Sequence, residues 1–145
     1  MIRSPLLVAT NTERDGATRM GIVRIAVGAL PLLARGPARM VFGLSTKDDT
    51  PALRTVARLF AIRNIVLGLW VLSTRHADVN NRHRCYQLNA AVDAADVLVL
   101  VWPVVRRQGL TRFSLGSANL ALCAILSWLE LLKRQKTGPT TATPA

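Results

Sequence analysis

Two aspartates, Asp93 and Asp96, interrupt an apolar stretch that runs from residue 85 to residue 105. The whole chain has only eight acidic residues, so two carboxylates inside such a stretch stand out. If the stretch is helical, residues three and four apart share a face, and Asn89, Asp93 and Asp96 form one polar stripe. Ionisable groups inside a membrane-spanning helix are costly and usually face the interior of a bundle. These residues are therefore the first candidates for a functional site.

Arginines inside other apolar stretches are candidate partners for the aspartates. They are Arg24 in the first stretch and Arg58 and Arg63 in the second, where Asn64 adds another polar group. In an up-down bundle Arg63 lies at a depth similar to that of the aspartates, so we expect it to pair with Asp93 or Asp96. Arg24 can reach Asp93 if the helices are offset or tilted. A guanidinium binds a carboxylate through two parallel hydrogen bonds, which offsets part of the lost hydration.

This polar set admits several interpretations. It can fix the register of the helices, as buried polar networks do in small bundles. It can line a small cavity that binds a polar headgroup, a proton or a quinone-like ring, or it can face a helix of another membrane subunit. Asp93 and Asp96 are also the candidate catalytic residues, because two carboxylates on one helical face can act as acid and base on a lipophilic substrate.

The elements that position these residues are four apolar stretches, at residues 20–44, 56–73, 85–105 and 113–132. Their lengths bracket the roughly 20 residues that a helix needs to cross a bilayer. Short polar links favour antiparallel neighbours, so the sequence predicts an all-α, four-helix transmembrane bundle with up-down topology. We expect a polar N-terminal segment at 1–19, the membrane domain at 20–132 and a basic, then disordered tail at 133–145. Pro31 predicts a kink or stop in the first helix.

Composition excludes several other classes of protein. The 145 residues are 50% hydrophobic with a net charge of +11, and most basic residues cluster between the apolar stretches, as in a membrane protein. Nucleic-acid binding is not expected, because no basic face free of apolar residues occurs. Cys85 and Cys123 lack metal-ligand spacing and are interpreted as small hydrophobic residues. His76 and His83 are interpreted as solvated loop residues, so neither a metal nor a cofactor is expected.

Aromatic residues are predicted to gather at the two membrane surfaces. Trp70, Tyr86 and Trp128 fall on the side of the N-terminus, and Phe42, Trp102 and Phe113 fall on the other. The basic residues give a weaker signal, with nine on the first side (Arg3, Arg14, Arg19, Arg75, Arg82, Arg84, Lys133, Arg134 and Lys136) and seven on the second (Arg35, Arg39, Lys47, Arg54, Arg106, Arg107 and Arg112). This bias favours cytoplasmic termini in the plasma membrane.

The spacing of the charged residues resembles that of a known family. The motifs are Arg24-xxx-Gly28-xx-Pro31, Arg58-xxxx-Arg63-xxxx-Gly68 and Asp93-xx-Asp96. They are similar to those of the small four-helix bacterial membrane proteins of the DoxX-like kind, particularly an actinobacterial branch of them. Better-known members are associated with membrane oxidoreductase complexes, so the resemblance implies an accessory or quinone-proximal role. No redox cysteine pair and no evident haem ligand accompany the motifs in the apolar stretches.

The sequence as a whole therefore predicts a non-enzymatic integral membrane protein. We expect an accessory or interaction subunit of a membrane complex, in contact with lipid and with other membrane subunits or with further copies of itself. The alternative is a small membrane enzyme that uses Asp93 and Asp96 on a lipophilic substrate reached from the bilayer. A transporter is disfavoured, because four helices leave little room for alternating access.

Overall fold

Four long helices make up nearly all of the described chain. The computed structural model describes residues 5–7, 10–33, 50–107 and 111–137. A short 3-10 turn, Pro5–Leu7, precedes α1 (Glu13–Leu33), α2 (Pro51–Thr74), α3 (Val79–Val105) and α4 (Thr111–Thr137). These ranges contain no strand. The predicted all-α, four-helix fold is confirmed.

Capping groups, and not hydropathy, set where α2 and α3 begin. The Thr50 hydroxyl accepts a hydrogen bond from the backbone N–H of Leu53 at 3.2 Å, and Pro51 is the first residue of α2. The Asp78 carboxylate accepts from the backbone N–H of Asn81 at 2.9 Å at the start of α3. Both helices therefore begin several residues before the apolar stretches from which they were predicted.

The first and last helices also reach into segments predicted to lie outside the bundle. α1 begins at Glu13, within the polar segment predicted at 1–19, and Pro31 lies in its last turn. The remainder of the first predicted stretch, 34–44, lies outside the described residues. α4 ends at Thr137, within the predicted tail, and residues 138–145 also lie outside the described part of the chain.

The helices pack as two antiparallel pairs. α1 lies mainly against α2, and α3 lies mainly against α4, while α2–α3 and α1–α4 contacts join the pairs. Glycines bring α1 and α2 close together. A Cβ atom added at Gly28 would lie 2.6 Å from the carbonyl oxygen of Ala61, and one added at Gly68 would lie 2.7 Å from that of Gly21. Small residues allow this close backbone approach, which membrane helices use in place of hydrophobic burial.

The largest buried side chains lie toward the end of the bundle that carries the N-terminus. Tyr86 and Trp128 are both fully buried, and their rings stack with centroids 5.9 Å apart. The hydrophobic cluster around them is Leu7, Ala17, Met20, Val71, Cys85 and Leu131. Tyr86 and Trp128 were predicted to lie at the membrane surface on this side; helix packing buries both rings, and their polar atoms bond to carboxylates inside the bundle.

The outer surface of the bundle is strongly apolar. Large hydrophobic side chains are exposed along all four helices, among them Leu59, Val66, Leu98 and Val99. All four helices are long and apolar enough to cross a membrane. Since lipid is the medium in which such a surface is stable, the fold is that of a multi-pass integral membrane protein. Cys85 and Cys123 are both free thiols.

Candidate functional site

A buried ion pair joins α1 to α3. Arg24 donates from Nη1 to Asp93 Oδ2 at 2.9 Å and from Nη2 to Asp93 Oδ1 at 2.6 Å. The two side chains are only 6% and 7% exposed. The indole Nε1 of Trp128, on α4, donates to Asp93 Oδ2 at 2.8 Å. Asp93 thus accepts three hydrogen bonds from two other helices.

A second ion pair joins α2 to α3. Arg63 Nη1 donates to Asp96 Oδ1 at 2.6 Å, and Nη2 donates to Oδ2 of the same carboxylate. The Arg63 guanidinium also lies over the ring of Phe60, 5.5 Å from its centroid. This pair is more open than the first, because its side chains are 38% and 20% exposed.

The spacing of the aspartates explains why α3 can bind both arginines. Asp93 and Asp96 are three residues apart, so they lie on neighbouring parts of one helical face, about 60° from each other. One carboxylate turns toward α1 and the other toward α2. The structure forms two of the expected pairings, Arg63 with Asp96 and Arg24 with Asp93. In each pair, the two Nη atoms of the arginine donate to the two carboxylate oxygens. The four charges sum to zero.

The two predicted asparagines lie beside these pairs and bond mainly to their own helices. Asn64 is buried and donates to the carbonyl oxygen of Phe60 at 2.9 Å. Asn89 is fully buried, one turn before Asp93, and donates to the carbonyl oxygen of Cys85 at 2.9 Å. Its own Oδ1 has no hydrogen-bond partner in the described structure.

The prediction that Arg58 belongs to the buried polar set was wrong. Its side chain is exposed on α2. Five residues separate Arg58 from Arg63, which turns the helix by about 140° and points Arg58 away from α3. The five-residue spacing therefore places the two arginines on different faces of α2.

A further polar cluster, not predicted from the sequence, lies at the N-terminal end of α1. Glu13 accepts from the Tyr86 hydroxyl at 2.5 Å, from Arg82 Nε at 3.3 Å and from Gln135 Nε2 at 3.3 Å. This cluster bonds α1 to α3 and α4. The signal for it was the polar stripe of α3: spacings of three and four continue backward from Asn89 to Tyr86 and Arg82.

The hydrogen bonds that the two carboxylates already accept limit the chemistry that this site can perform. Both oxygens of Asp93 and both oxygens of Asp96 already accept hydrogen bonds from arginines. Among the described residues, no group of three or more His, Cys, Asp or Glu side chains could hold a metal ion. Such an arrangement holds helices together, and Asp96 is the carboxylate that an outside molecule reaches more easily.

Fold and site together define a class: multi-pass membrane proteins in which one central helix binds arginines of two neighbours through paired carboxylates. No family model matches the chain, and no curated protein and no solved structure shows significant similarity to it. The function must therefore be inferred from the residues themselves.

Proposed function

We propose that the protein is a non-enzymatic accessory or interaction subunit of a complex in the plasma membrane. The observation that carries this proposal is that both aspartates are held in two-point ion pairs by arginines of the same chain. A general acid or base must exchange its proton with a substrate. Carboxylates whose oxygens are already bonded to arginines are poorly placed for that exchange, and they stabilise the contacts between the helices instead. The scaffold leaves an apolar outer surface that lipid or another membrane protein can cover.

Membership of the DoxX-like family belongs to the same proposal. The residues that support it are those of the ion pairs, together with Gly28 and Gly68, which lie where α1 and α2 approach each other closely. Association of better-known members with membrane oxidoreductase complexes is consistent with an accessory role for this chain.

Purification from native membranes tests the accessory role. Tagged protein extracted in a mild detergent should retain another membrane protein in a fixed stoichiometry, and tagging that partner should recover this chain. The triple variant Arg24→Met, Asp93→Leu and Trp128→Phe replaces the buried pair by apolar side chains and also removes the indole N–H that would lose its acceptor, so it should stay folded better than a variant that lacks one charge alone. It should keep the partner. Wild-type protein that purifies without any other membrane protein would count against the proposal.

A small membrane enzyme is the second candidate, favoured by the partial exposure of the Arg63–Asp96 pair. Asp96 would then exchange a proton with a lipophilic substrate that enters from the bilayer. Lipid extracts from cells that carry wild type or Asp96→Asn test this directly. An enzyme predicts a species that accumulates in the variant and disappears when wild type is restored; matching lipid profiles would leave the accessory role as the better account.

We also propose that both termini are cytoplasmic. The support is the small excess of basic residues on the side of the N-terminus. Reporter domains fused after Thr137 and within residues 108–110 should give opposite signals in intact cells. An extracellular signal from the fusion after Thr137 would reverse the orientation.

A further inference from the structure

The two ion pairs of the bundle differ in what covers them. Trp128 donates to Asp93 and lies under Arg24, whose guanidinium is 5.8 Å from the ring centroid. Among the described residues, Asp96 accepts side-chain hydrogen bonds from Arg63 alone. Arg63 remains 38% exposed and Asp96 20% exposed. One pair is enclosed by the bundle, and the other opens to its surface.

The open pair lies at the depth where exposure is least favourable. Arg63 is near the middle of α2, roughly 17 Å from either end of the helix at about 1.5 Å per residue. Its exposed part therefore faces the hydrocarbon core of the bilayer. Charged side chains there normally face a bundle interior or another polar group. An occupant that supplies further hydrogen bonds would stabilise the pair.

We propose that this occupant is a second copy of the chain. The α2–α3 seam is defined here as the exposed line between the two helices that carries Arg63 and Asp96. A two-fold axis along the membrane normal, passing through the seam, sets α2 of one copy against α3 of the other at equal depth. Arg63 of each copy then lies opposite Asp96 of the second copy. The result is a self-complementary cluster of two positive and two negative charges.

The surroundings of the seam suit such a contact. Leu59 and Val66 lie one turn before and one turn after Arg63, and both are exposed. Ala95 and Val99 lie beside Asp96 on α3 and are also exposed. The small side chain of Ala95 lets a second helix approach closely, while the larger residues exclude lipid from the charges. This inference rests on the geometry of the open pair and not on the accessory role proposed above.

Cysteine cross-linking in liposomes tests the proposed contact. Purified Ala95→Cys mixed with purified Val66→Cys, both made in a Cys123→Ser background, should form a disulfide that joins α3 of one copy to α2 of the other after oxidation. Leu126→Cys in the same background is the matched control, because it places an exposed thiol on α4 instead of the seam. Since only this chain is present, another protein cannot produce the dimer. Ala95→Cys that cross-links to Val66→Cys no better than to Leu126→Cys would overturn the proposal.

A dimerisation constant measured by fluorescence transfer at increasing lipid dilution tests the role of the charges. Arg63→Met with Asp96→Leu keeps the pair's volume but removes the charges, and it should weaken dimerisation by at least about tenfold, which corresponds to about 1.4 kcal/mol. Arg24→Met with Asp93→Leu is the control and should change the constant by less than about twofold.

Two results of this measurement would contradict the proposal. One is a seam variant that dimerises as tightly as wild type. The other is wild-type protein that stays monomeric at every dilution, including the case in which a phospholipid copurifies with it and occupies the open pair.

Discussion

Trp128 donates its indole N–H to Asp93 Oδ2, the same oxygen that accepts from Arg24 Nη1. One carboxylate oxygen therefore bonds α4 and α1 to α3 at a single point. The Trp128 ring is fully buried and stacks against Tyr86, so its position is fixed by packing as well as by the hydrogen bond.

Removing this N–H while keeping an aromatic ring isolates the contribution of the hydrogen bond. We expect Trp128→Phe to lower the free energy of unfolding by about 1.5–3 kcal/mol, the range for a hydrogen bond to a charged group. Part of the loss will reflect the smaller ring, so the measurement should be combined with Asp93→Leu/Arg24→Met in a double-mutant cycle. Unfolding in mixed micelles of mild detergent and SDS gives the values. Trp102→Phe, at an exposed tryptophan, should change them little.

The two aspartates should differ in their response to loss of charge. Asp93→Asn leaves Arg24 buried without a counter-charge, and we expect a loss of about 3–5 kcal/mol in the free energy of unfolding. Asp96→Asn should have a smaller effect in detergent micelles, because Asp96 accepts two hydrogen bonds where Asp93 accepts three, and because the partly exposed Arg63 keeps some contact with water. Equal losses for the two variants would contradict the difference in enclosure described above. Parallel SDS titrations compare them directly.

Glycine contacts between α1 and α2 give a third prediction. A methyl group at Gly28 meets the backbone oxygen of Ala61, which cannot move without shifting α2. Gly28→Ala should therefore lower the free energy of unfolding by about 1–3 kcal/mol through overpacking. Gly116→Ala is the matched control: a Cβ there meets no atom within 4 Å, and the change should be neutral or slightly stabilising. Thermal unfolding in detergent distinguishes these outcomes.

The Glu13 cluster gives a fourth prediction, at the end of the bundle. Glu13→Gln removes the charge that faces Arg82 and weakens the bond to the Tyr86 hydroxyl, so we expect a loss of about 1–3 kcal/mol. Asp15→Asn changes an exposed acid in the same helical turn, where about 0.3–1 kcal/mol is expected from the helix dipole. Hydrogen exchange of the first turn of α1 should increase more in Glu13→Gln than in Asp15→Asn. Similar exchange in both variants would mean that the cluster does not hold this end of the helix.

Hydropathy and helical spacing were sufficient to predict the helices and the main polar contacts. Each of the four apolar stretches overlaps one helix of the structure, and the three-residue spacing of Asp93 and Asp96 placed both carboxylates on one face. Depth along an up-down bundle then brought Arg63 and Arg24 within reach. These inferences succeed because hydrophobic periodicity and helix length can be determined from the linear sequence, without knowledge of how the helices pack.

Contacts that depend on packing between helices were not predictable in this way. Trp128 lies near the end of the apolar stretch at 113–132, where a tryptophan is equally suited to a membrane surface and to a buried carboxylate. The position of α4 against α3 determines which of these two environments surrounds Trp128. Glu13 was missed for a related reason: hydropathy places it outside the membrane domain, whereas α1 begins at Glu13, next to Thr12, whose hydroxyl accepts from the Asp15 backbone N–H at 3.1 Å. Whether the Arg and Asp side chains bind a partner or a ligand stays a prediction.

The order of the charges along the chain constrains how the protein is made. Arg24 and Arg63 are synthesised before Asp93 and Asp96, so we expect α1 and α2 to enter the membrane as a glycine-packed hairpin in which these two arginines lack their partners. Such a hairpin is poorly suited to remain in lipid alone. Arrival of α3 supplies both counter-charges at once, which makes the third helix the element that commits the nascent chain to the bilayer.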